Sequence, residues 1–391
     1  QPCIFAFMLS DELALRVSRQ LAEWRSEDRY RSLRAPQPEA IDLVSNDYLG
    51  LRLDPHVREA AAQAAASEGV GSGGSRLLSG HSARFERLEA GIARYHRAEA
   101  ALFFNSGWEA NQGLLATLPG RTDTILYDER IHASMRDGIR QSHARSYSFP
   151  HNDLAELERL LERSSGQVFV AVEALYSMDG DVAPLAELAD ICHDHRAGLI
   201  VDEAHAAGVR GEAGSGLVCE LGLEGAVLAR IITYGKAFGA MGAAVVCAPL
   251  VAEYLVNACR CFIYTTAAPP AVLAAVEASY ERMPHLDGER ARVHQLSAQL
   301  RQGLCEFSEP DRVLGGEGAI VAWVLGKLAR LVANFMQGNG FDARPVVAPT
   351  VEKGSERIRF CLHSFNRPDE VDELLALLRQ QRDRSHGFAS P

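Results

Sequence analysis

The chain has 391 residues, enough for two or three domains. With 47% hydrophobic and 23% charged residues it has the makeup of a core-forming globular protein, which excludes a disordered, collagen-like or disulfide-stapled chain. Its 40 Lys and Arg against 51 Asp and Glu leave a net charge of −11, the wrong sign for a general nucleic-acid binder, and no apolar run approaches the roughly 18 residues of a membrane span.

The opening QPCIFAFMLSDELALR has no basic stretch and no small-residue cleavage site, so a signal peptide is not expected, and residues 1–7 read as detached from the helical pattern after them. Residues 11–26 carry Leu13, Val17, Leu21 and Trp24 at helical spacing, which predicts an amphipathic helix that needs a surface to lie on. Residues 31–44, with two prolines, read as a linker arm. From about residue 46, short apolar runs at 101–105, 124–127, 168–172, 199–203, 229–233 and 243–247 alternate with helical patterns at 55–67, 82–97, 108–118, 152–163, 185–195 and 249–261. Such alternation predicts an α/β fold with a mostly parallel sheet covered on both faces. After Ala267-Ala268-Pro269-Pro270 a long helical stretch over about 271–305 precedes short strands near 317–324 and 357–362 and helices near 326–338 and 368–382. The expected division is an N-terminal helix and arm over 1–45, a large α/β domain over 46–285 and a small α+β domain over 286–391.

Eight cysteines (Cys3, Cys192, Cys219, Cys247, Cys259, Cys261, Cys305 and Cys361) form no C-x-x-C pair and mostly sit in apolar segments, as reduced, buried residues of a cytoplasmic protein would. Cys192-His193-Asp194-His195 resembles a ligand cluster, but positions i and i+2 of a helix point to different sides, so it reads as solvated surface and no metal site is expected.

Four segments carry chemistry. Lys236 follows the apolar run Ile231-Ile232-Thr233 and is bracketed by Gly235 and Gly239. A lysine desolvated at a strand end loses basicity and can condense with an aldehyde, although most lysines are merely solvated. Leu199-Ile200-Val201 ends in Asp202 and Glu203, followed by His205. A carboxylate there can hold the charge of a protonated ring nitrogen. D-E-A-H also resembles a nucleotide-hydrolase strand end, but that reading needs a G-x-x-x-x-G-K-[ST] loop, and the Gly-rich segment 69–75 lacks the lysine. Asn105-Ser106-Gly107-Trp108 turns a strand into a helix whose first N–H groups suit a phosphate, with Trp108 fit either to lie on a ring or to fill core. His132, in Glu129-Arg130-Ile131-His132, stands alone and reads equally as structural.

Together these segments resemble the α-oxoamine synthases, a branch of the fold type I enzymes that depend on pyridoxal 5'-phosphate (PLP). The landmarks run in order: SNDYLGL (45–51), GSGGSRLLSG (71–80), SGWEAN (106–111), ERIHAS (129–134), YSMDGDVAPL (176–185), VDEAHAAGVRGEAGSG (201–216), TYGKAFGAMGAAV (233–245) and IYTTAAPP (263–270). The resemblance implies a fold type I PLP-dependent transferase with a central, mostly parallel, seven-stranded sheet flanked by helices and a smaller α+β C-terminal domain. The segments at 235–245, 263–270 and 348–366 single out the enzymes that join L-alanine to a pimeloyl thioester, on CoA or a carrier protein, with loss of CO2. A sister activity with glycine, serine or another acyl chain stays open, as does a non-catalytic protein on the same fold.

The resemblance also implies roles. Lys236 would carry PLP and move protons, Asp202 would pair with the pyridine nitrogen, and His132 would stack on the ring. His205 would touch the phenolic oxygen with Ser177 beside it. Gly107, Trp108 and Thr233 would hold the phosphate, with Thr265 or Thr266 reaching over from a partner subunit in a homodimer. Arg359, helped by Asn46, would bind the amino-acid carboxylate. Thr350 matches a substrate-contacting position, and Arg31 the arginine that reads the far end of the acyl chain. The segment between Arg34 and Asn46 is shorter than the family pattern, and Trp108 stands where Phe or Tyr is usual.

Overall fold

The computed structural model describes residues 10–27, 29–33, 35 and 38–384. Residues 1–7 and Cys3 lie outside them.

The strands, in chain order, are β1 (Ile41–Asp42), β2 (Ala100–Phe104), β3 (Thr124–Asp128), β4 (Arg145–Phe149), β5 (Val168–Glu173), β6 (Gly198–Asp202), β7 (Ala229–Thr233), β8 (Ala243–Cys247), β9 (Val313–Gly315), β10 (Ile320–Val324), β11 (Phe341–Asp342), β12 (Pro345–Val346) and β13 (Arg357–Cys361). Seven of them build the central sheet in the order β2-β8-β7-β6-β5-β3-β4, and only β8 runs against its neighbours. Side chains alternate between two cores, as a sheet covered on both faces requires. In β5, Val168, Val170 and Val172 enter one hydrophobic cluster while Phe169 and Ala171 enter the other. Leu199 and Val201 of β6 likewise oppose Ile200.

The second sheet, β12-β13-β10-β9, is antiparallel and has its own core with the Asp287–Cys305, Ala329–Gly338 and Pro368–Arg384 helices. The expected linker arm joins this unit, because β1 pairs in parallel with β11 and the Cys361 N–H donates to the Leu43 carbonyl at 2.9 Å. That contact brings Asn46 and Tyr48 beside β13.

The structure departs from the sequence expectations at several places, among them the short strands β1, β9, β11 and β12, which no apolar run announces. The helix expected over 271–305 is two, Pro270–Arg282 and Asp287–Cys305, separated by a 3₁₀ turn at Met283-Pro284-His285, where Pro284 removes a helical N–H donor. The 249–261 helix breaks at Cys259, which leaves the helical region at ψ 107°. The edge strand β4 (Arg-Ser-Tyr-Ser-Phe) has no apolar run to mark it, since four of its five residues are exposed. The Ala133–Gln141 helix is short and is capped by His132 rather than by an ordinary capping residue. The Asp11–Ser26 helix forms as expected, starting from the Ser10 side-chain cap, yet none of its residues is buried in this chain.

Candidate active site

β2, β5, β6 and β7 end on one edge of the central sheet, the edge where open α/β sheets present ligand groups. Each expected central residue sits just past one of these ends or past that of β3. Gly107 follows β2, His132 follows β3, Ser177 follows β5, Asp202 ends β6 ahead of His205, and Thr233 ends β7 ahead of Lys236.

Past β2, Ser106 caps the Gly107–Thr117 helix by accepting from the Glu109 N–H at 3.1 Å. Gly107 packs against β7 so closely that a Cβ there would lie 2.6 Å from Thr233 Cγ2. Thr233 Oγ1 is buried and has no hydrogen-bond partner. A buried hydroxyl with spare hydrogen-bonding capacity beside a helix N-terminus suits an anionic group. Asn105 holds the Thr265–Thr266 segment at the same place, with Nδ2 donating to Thr265 Oγ1 at 3.2 Å and to the Thr266 carbonyl at 2.9 Å. Within one chain, then, Thr265 and Thr266 are anchored to the residue that precedes Ser106. Trp108 is 44% exposed, which excludes the core-filling reading, and meets the His132 ring edge-on at 6.0 Å.

His132 Nδ1 accepts from the Ser134 N–H at 3.2 Å and lies 2.7 Å from Ser134 Oγ, so a neutral ring carries its proton on Nε2. Asp202 is buried; Asn111 Nδ2 donates to its Oδ2 at 2.6 Å and the Ala204 N–H to its Oδ1 at 2.9 Å. Glu173 stands opposite Asp202 in the β5–β6 register and accepts from the Ser177 N–H at 3.2 Å. Burial, reinforced by the charge of Asp202, pushes the Glu173 carboxyl above its ordinary pKa.

Lys236 is half-buried in a turn closed by the Gly239 N–H donating to its carbonyl at 2.8 Å. Gly239 takes φ 63° and lies against the 51–52 backbone, where a Cβ would sit 2.2 Å from the Arg52 nitrogen, so only glycine fits. Burial lowers the pKa of the Lys236 amine, and Asp202 and Glu173 only partly restore it.

From β13, Arg359 Nη2 donates to Asn46 Oδ1 at 3.0 Å and to Tyr48 Oη at 3.3 Å, while its buried Nε has no partner. Tyr48 Oη lies 2.7 Å from His205 Nδ1. Burial, and then the charges of Lys236 and Arg359, hold His205 far below its ordinary pKa, so it stays neutral. Arg31 and Thr350 meet each other instead: Arg31 Nη2 donates to Thr350 Oγ1 at 3.4 Å, both residues are exposed, and Arg31 lines a cavity of about 320 Å³ with Tyr30, Asn334, Arg344 and Pro345.

The sequence patterns assign no role to Tyr48, Asn111 or Glu173. Tyr48 and Asn111 lie inside the motifs SNDYLGL and SGWEAN, and Asn111 stands one turn after Gly107, the available signal. The Cys192–His195 cluster has only Cys192 buried, in keeping with solvated surface. His151, Asp179 and Asp181 bring ligand atoms within 4.8 Å of one another. Arg130 and Arg357 both pair with Asp179, so protein cations already answer that charge.

The residues present fit PLP by donor chemistry: an unpartnered buried hydroxyl and a helix start for the phosphate, a buried carboxylate for the ring nitrogen, and an amine of lowered basicity for the aldehyde.

Comparison with known proteins agrees. The family described as aminotransferase class I and II matches residues 38–378. The 8-amino-7-oxononanoate synthase of Emericella nidulans is 38% identical over 388 residues, covering 92% of this chain and 94% of its own. A variant of serine palmitoyltransferase from S. paucimobilis with a bound PLP–myriocin aldimine superposes with a TM-score of 0.87 at 26% identity, over 96% of this chain and 99% of that one. The crystal structure of 8-amino-7-oxononanoate synthase from Francisella tularensis gives a TM-score of 0.78 at 29% identity, over 90% and 100%.

Proposed function

The chain belongs to the aminotransferase class I and II family, within its α-oxoamine synthase branch, and from that premise we propose that it is a PLP-dependent C-acyltransferase that makes 8-amino-7-oxononanoate. L-Alanine and a pimeloyl thioester, on CoA or a carrier protein, give the product, CO2 and the free thiol, a step of biotin biosynthesis. The observation that carries this reading is one cluster at the strand ends: Lys236 in the field of the buried carboxylates Asp202 and Glu173, which face each other across β5 and β6, together with the unpartnered Thr233 Oγ1 and Arg359 Nε.

When bound, PLP supplies an electron sink for the amino-acid α-carbon. Lys236 would anchor it through the ε-amine, and Asp202, oriented by Asn111, would hold the proton on the ring nitrogen. Gly107, Trp108 and Thr233 would take the phosphate, with Thr265 or Thr266 contributed across a dimer. His132 would cover the ring, and His205 and Ser177 would sit at its phenolic side. An amine of lowered basicity is a competent base at neutral pH, so Lys236 would also take and return the proton at the amino-acid Cα. Arg359, with Nη2 held by Asn46 and Tyr48, would grip the alanine carboxylate through its unpartnered Nε, and so hold in one orientation the group that leaves as CO2. Thr350 and Arg31 would meet the acyl substrate, with Arg31 offering a cation for its far carboxylate.

The chain would work as a cytoplasmic homodimer. The Asp11–Ser26 helix supports this: Leu15, Val17 and Trp24 are 52%, 44% and 38% exposed and find no cover among the described residues. Seven cysteines are free thiols among the described residues, as in a reducing compartment. The division into an arm over 1–45, a large domain over 46–285 and a small domain over 286–391 would put Lys236 on one unit and Arg359 on the other.

The test is turnover with alanine, glycine and serine, each against pimeloyl and longer or shorter acyl-CoA, on protein whose mass is read by sedimentation. The expected result is a dimer that releases CoA fastest with alanine and pimeloyl-CoA. No turnover of that pair, with activity on glycine or serine, would move the chain to a sister activity.

A further inference from the structure

Tyr48 is a fully buried tyrosine whose hydroxyl meets three polar groups at one point: His205 Nδ1 at 2.7 Å, Asn46 Oδ1 at 3.1 Å and Arg359 Nη2 at 3.3 Å. It comes from the segment that β1 and Leu43 dock onto the small sheet, whereas His205 lies past β6 of the large one. One phenol therefore joins the expected carboxylate-binding arginine to the expected cofactor-contacting histidine.

The proton on that phenol has two acceptors to choose between. Asn46 Oδ1 already accepts from Arg359 Nη2 at 3.0 Å, a charge-assisted bond. His205 Nδ1 has Tyr48 as its one hydrogen-bond partner among the described residues, and at the shorter distance. Were the proton given to Asn46, His205 Nδ1 would have to donate to a phenol oxygen that Arg359 already feeds. With the proton given to His205, the bonds at the phenol run in one direction: Arg359 donates to Tyr48, and Tyr48 donates to Nδ1. The burial that keeps the phenol protonated and the imidazole neutral supports this direction. A neutral imidazole that accepts at Nδ1 carries its hydrogen on Nε2.

We propose that Tyr48 is a positioning residue that fixes His205 as the Nε2–H tautomer, a hydrogen-bond donor, and couples it to Arg359. The inference rests on the reading of Arg359 and His205 given above and adds a residue to it. It makes the donor at His205 depend on the arginine that receives the amino-acid carboxylate, so binding at one end of the relay is felt at the other.

The test uses histidine ¹⁵N spectra of the wild-type protein without substrates, with His205 assigned by its loss in His205→Gln. The expected spectrum shows a neutral ring with the hydrogen on Nε2; a hydrogen on Nδ1 overturns the proposal. In Tyr48→Phe, which keeps the ring and removes only the hydroxyl, the Nε2–H preference is expected to be lost. The KM for the amino acid should rise about tenfold, with a smaller change in kcat, as Arg359 loses a neighbour that holds it. An unchanged spectrum and KM in a folded Tyr48→Phe protein would overturn it as well. Because the spectra need no turnover, failure of the alanine reaction with Nε2–H intact would count against the substrate reading alone.

Discussion

At His151 burial works against a charge, but the hydrogen bonds its ring donates to the Asp128 and Asp181 carboxylates outweigh it and raise the pKa to about 9. Nδ1 lies 3.0 Å from Asp128 Oδ2 and Nε2 lies 2.7 Å from Asp181 Oδ2, with the ring edge-on to Tyr176. In the unfolded chain the value is near 6.5. A pKa raised on folding stabilises the fold in full below the unfolded value and loses that contribution as pH rises through the folded one. Urea midpoints should therefore fall between about pH 6.5 and 9, by at most about 3 kcal/mol of stability. His151→Asn should flatten that slope, and equal slopes in both proteins would show the pair to be inert. Nothing in the sequence around His151 announces this network, because Asp128 and Asp181 are 23 and 30 residues away. The same holds for Tyr48 and Asn111, whose partners lie 157 and 91 residues off. The positions of Lys236 and Asp202 were legible for the opposite reason: Asp202 ends one apolar strand and Lys236 comes three residues after another, and a strand end in a parallel sheet is a position that the local pattern already specifies.

The Gly107–Thr117 helix shows how an element places chemistry. Its first residue touches Thr233 of β7 and its fifth, Asn111, holds Asp202 of β6, so one helix would set both the proposed phosphate end and the proposed ring-nitrogen end of the site. Gly107→Ala would drive a methyl to 2.6 Å from Thr233 Cγ2 and push the helix start off the strand. Overpacking of this kind costs about 1–3 kcal/mol. PLP affinity, read by fluorescence quenching, should drop tenfold or more, and retention of wild-type affinity would detach this helix from phosphate binding. The apolar strands were legible to within a residue or two because their burial on both faces leaves no polar position to confuse the pattern. β4 was not, since its exposed Arg-Ser-Tyr-Ser gives no such run, and neither was the Pro284 break, where helical periodicity continues on both sides of a turn only the proline imposes.

Across the whole molecule, two sheets with separate cores bring the candidate site residues together. The large sheet offers Asp202, His205 and Lys236 at one edge, and the antiparallel sheet offers Arg359 from β13. The arm over residues 41–48 ties the two, pairing with β11 while carrying Asn46 and Tyr48 to Arg359. Among the described residues the Asp11–Ser26 helix stays uncovered, with Leu15, Val17 and Trp24 exposed, and the proposed dimer would place a second copy there. The most direct measurement is borohydride reduction of the purified protein after incubation with PLP, followed by peptide mapping. The pyridoxyl group should be fixed on the peptide containing Lys236 and absent from Lys236→Ala. A label on Lys327 or Lys353 with Lys236 unmodified would contradict the account.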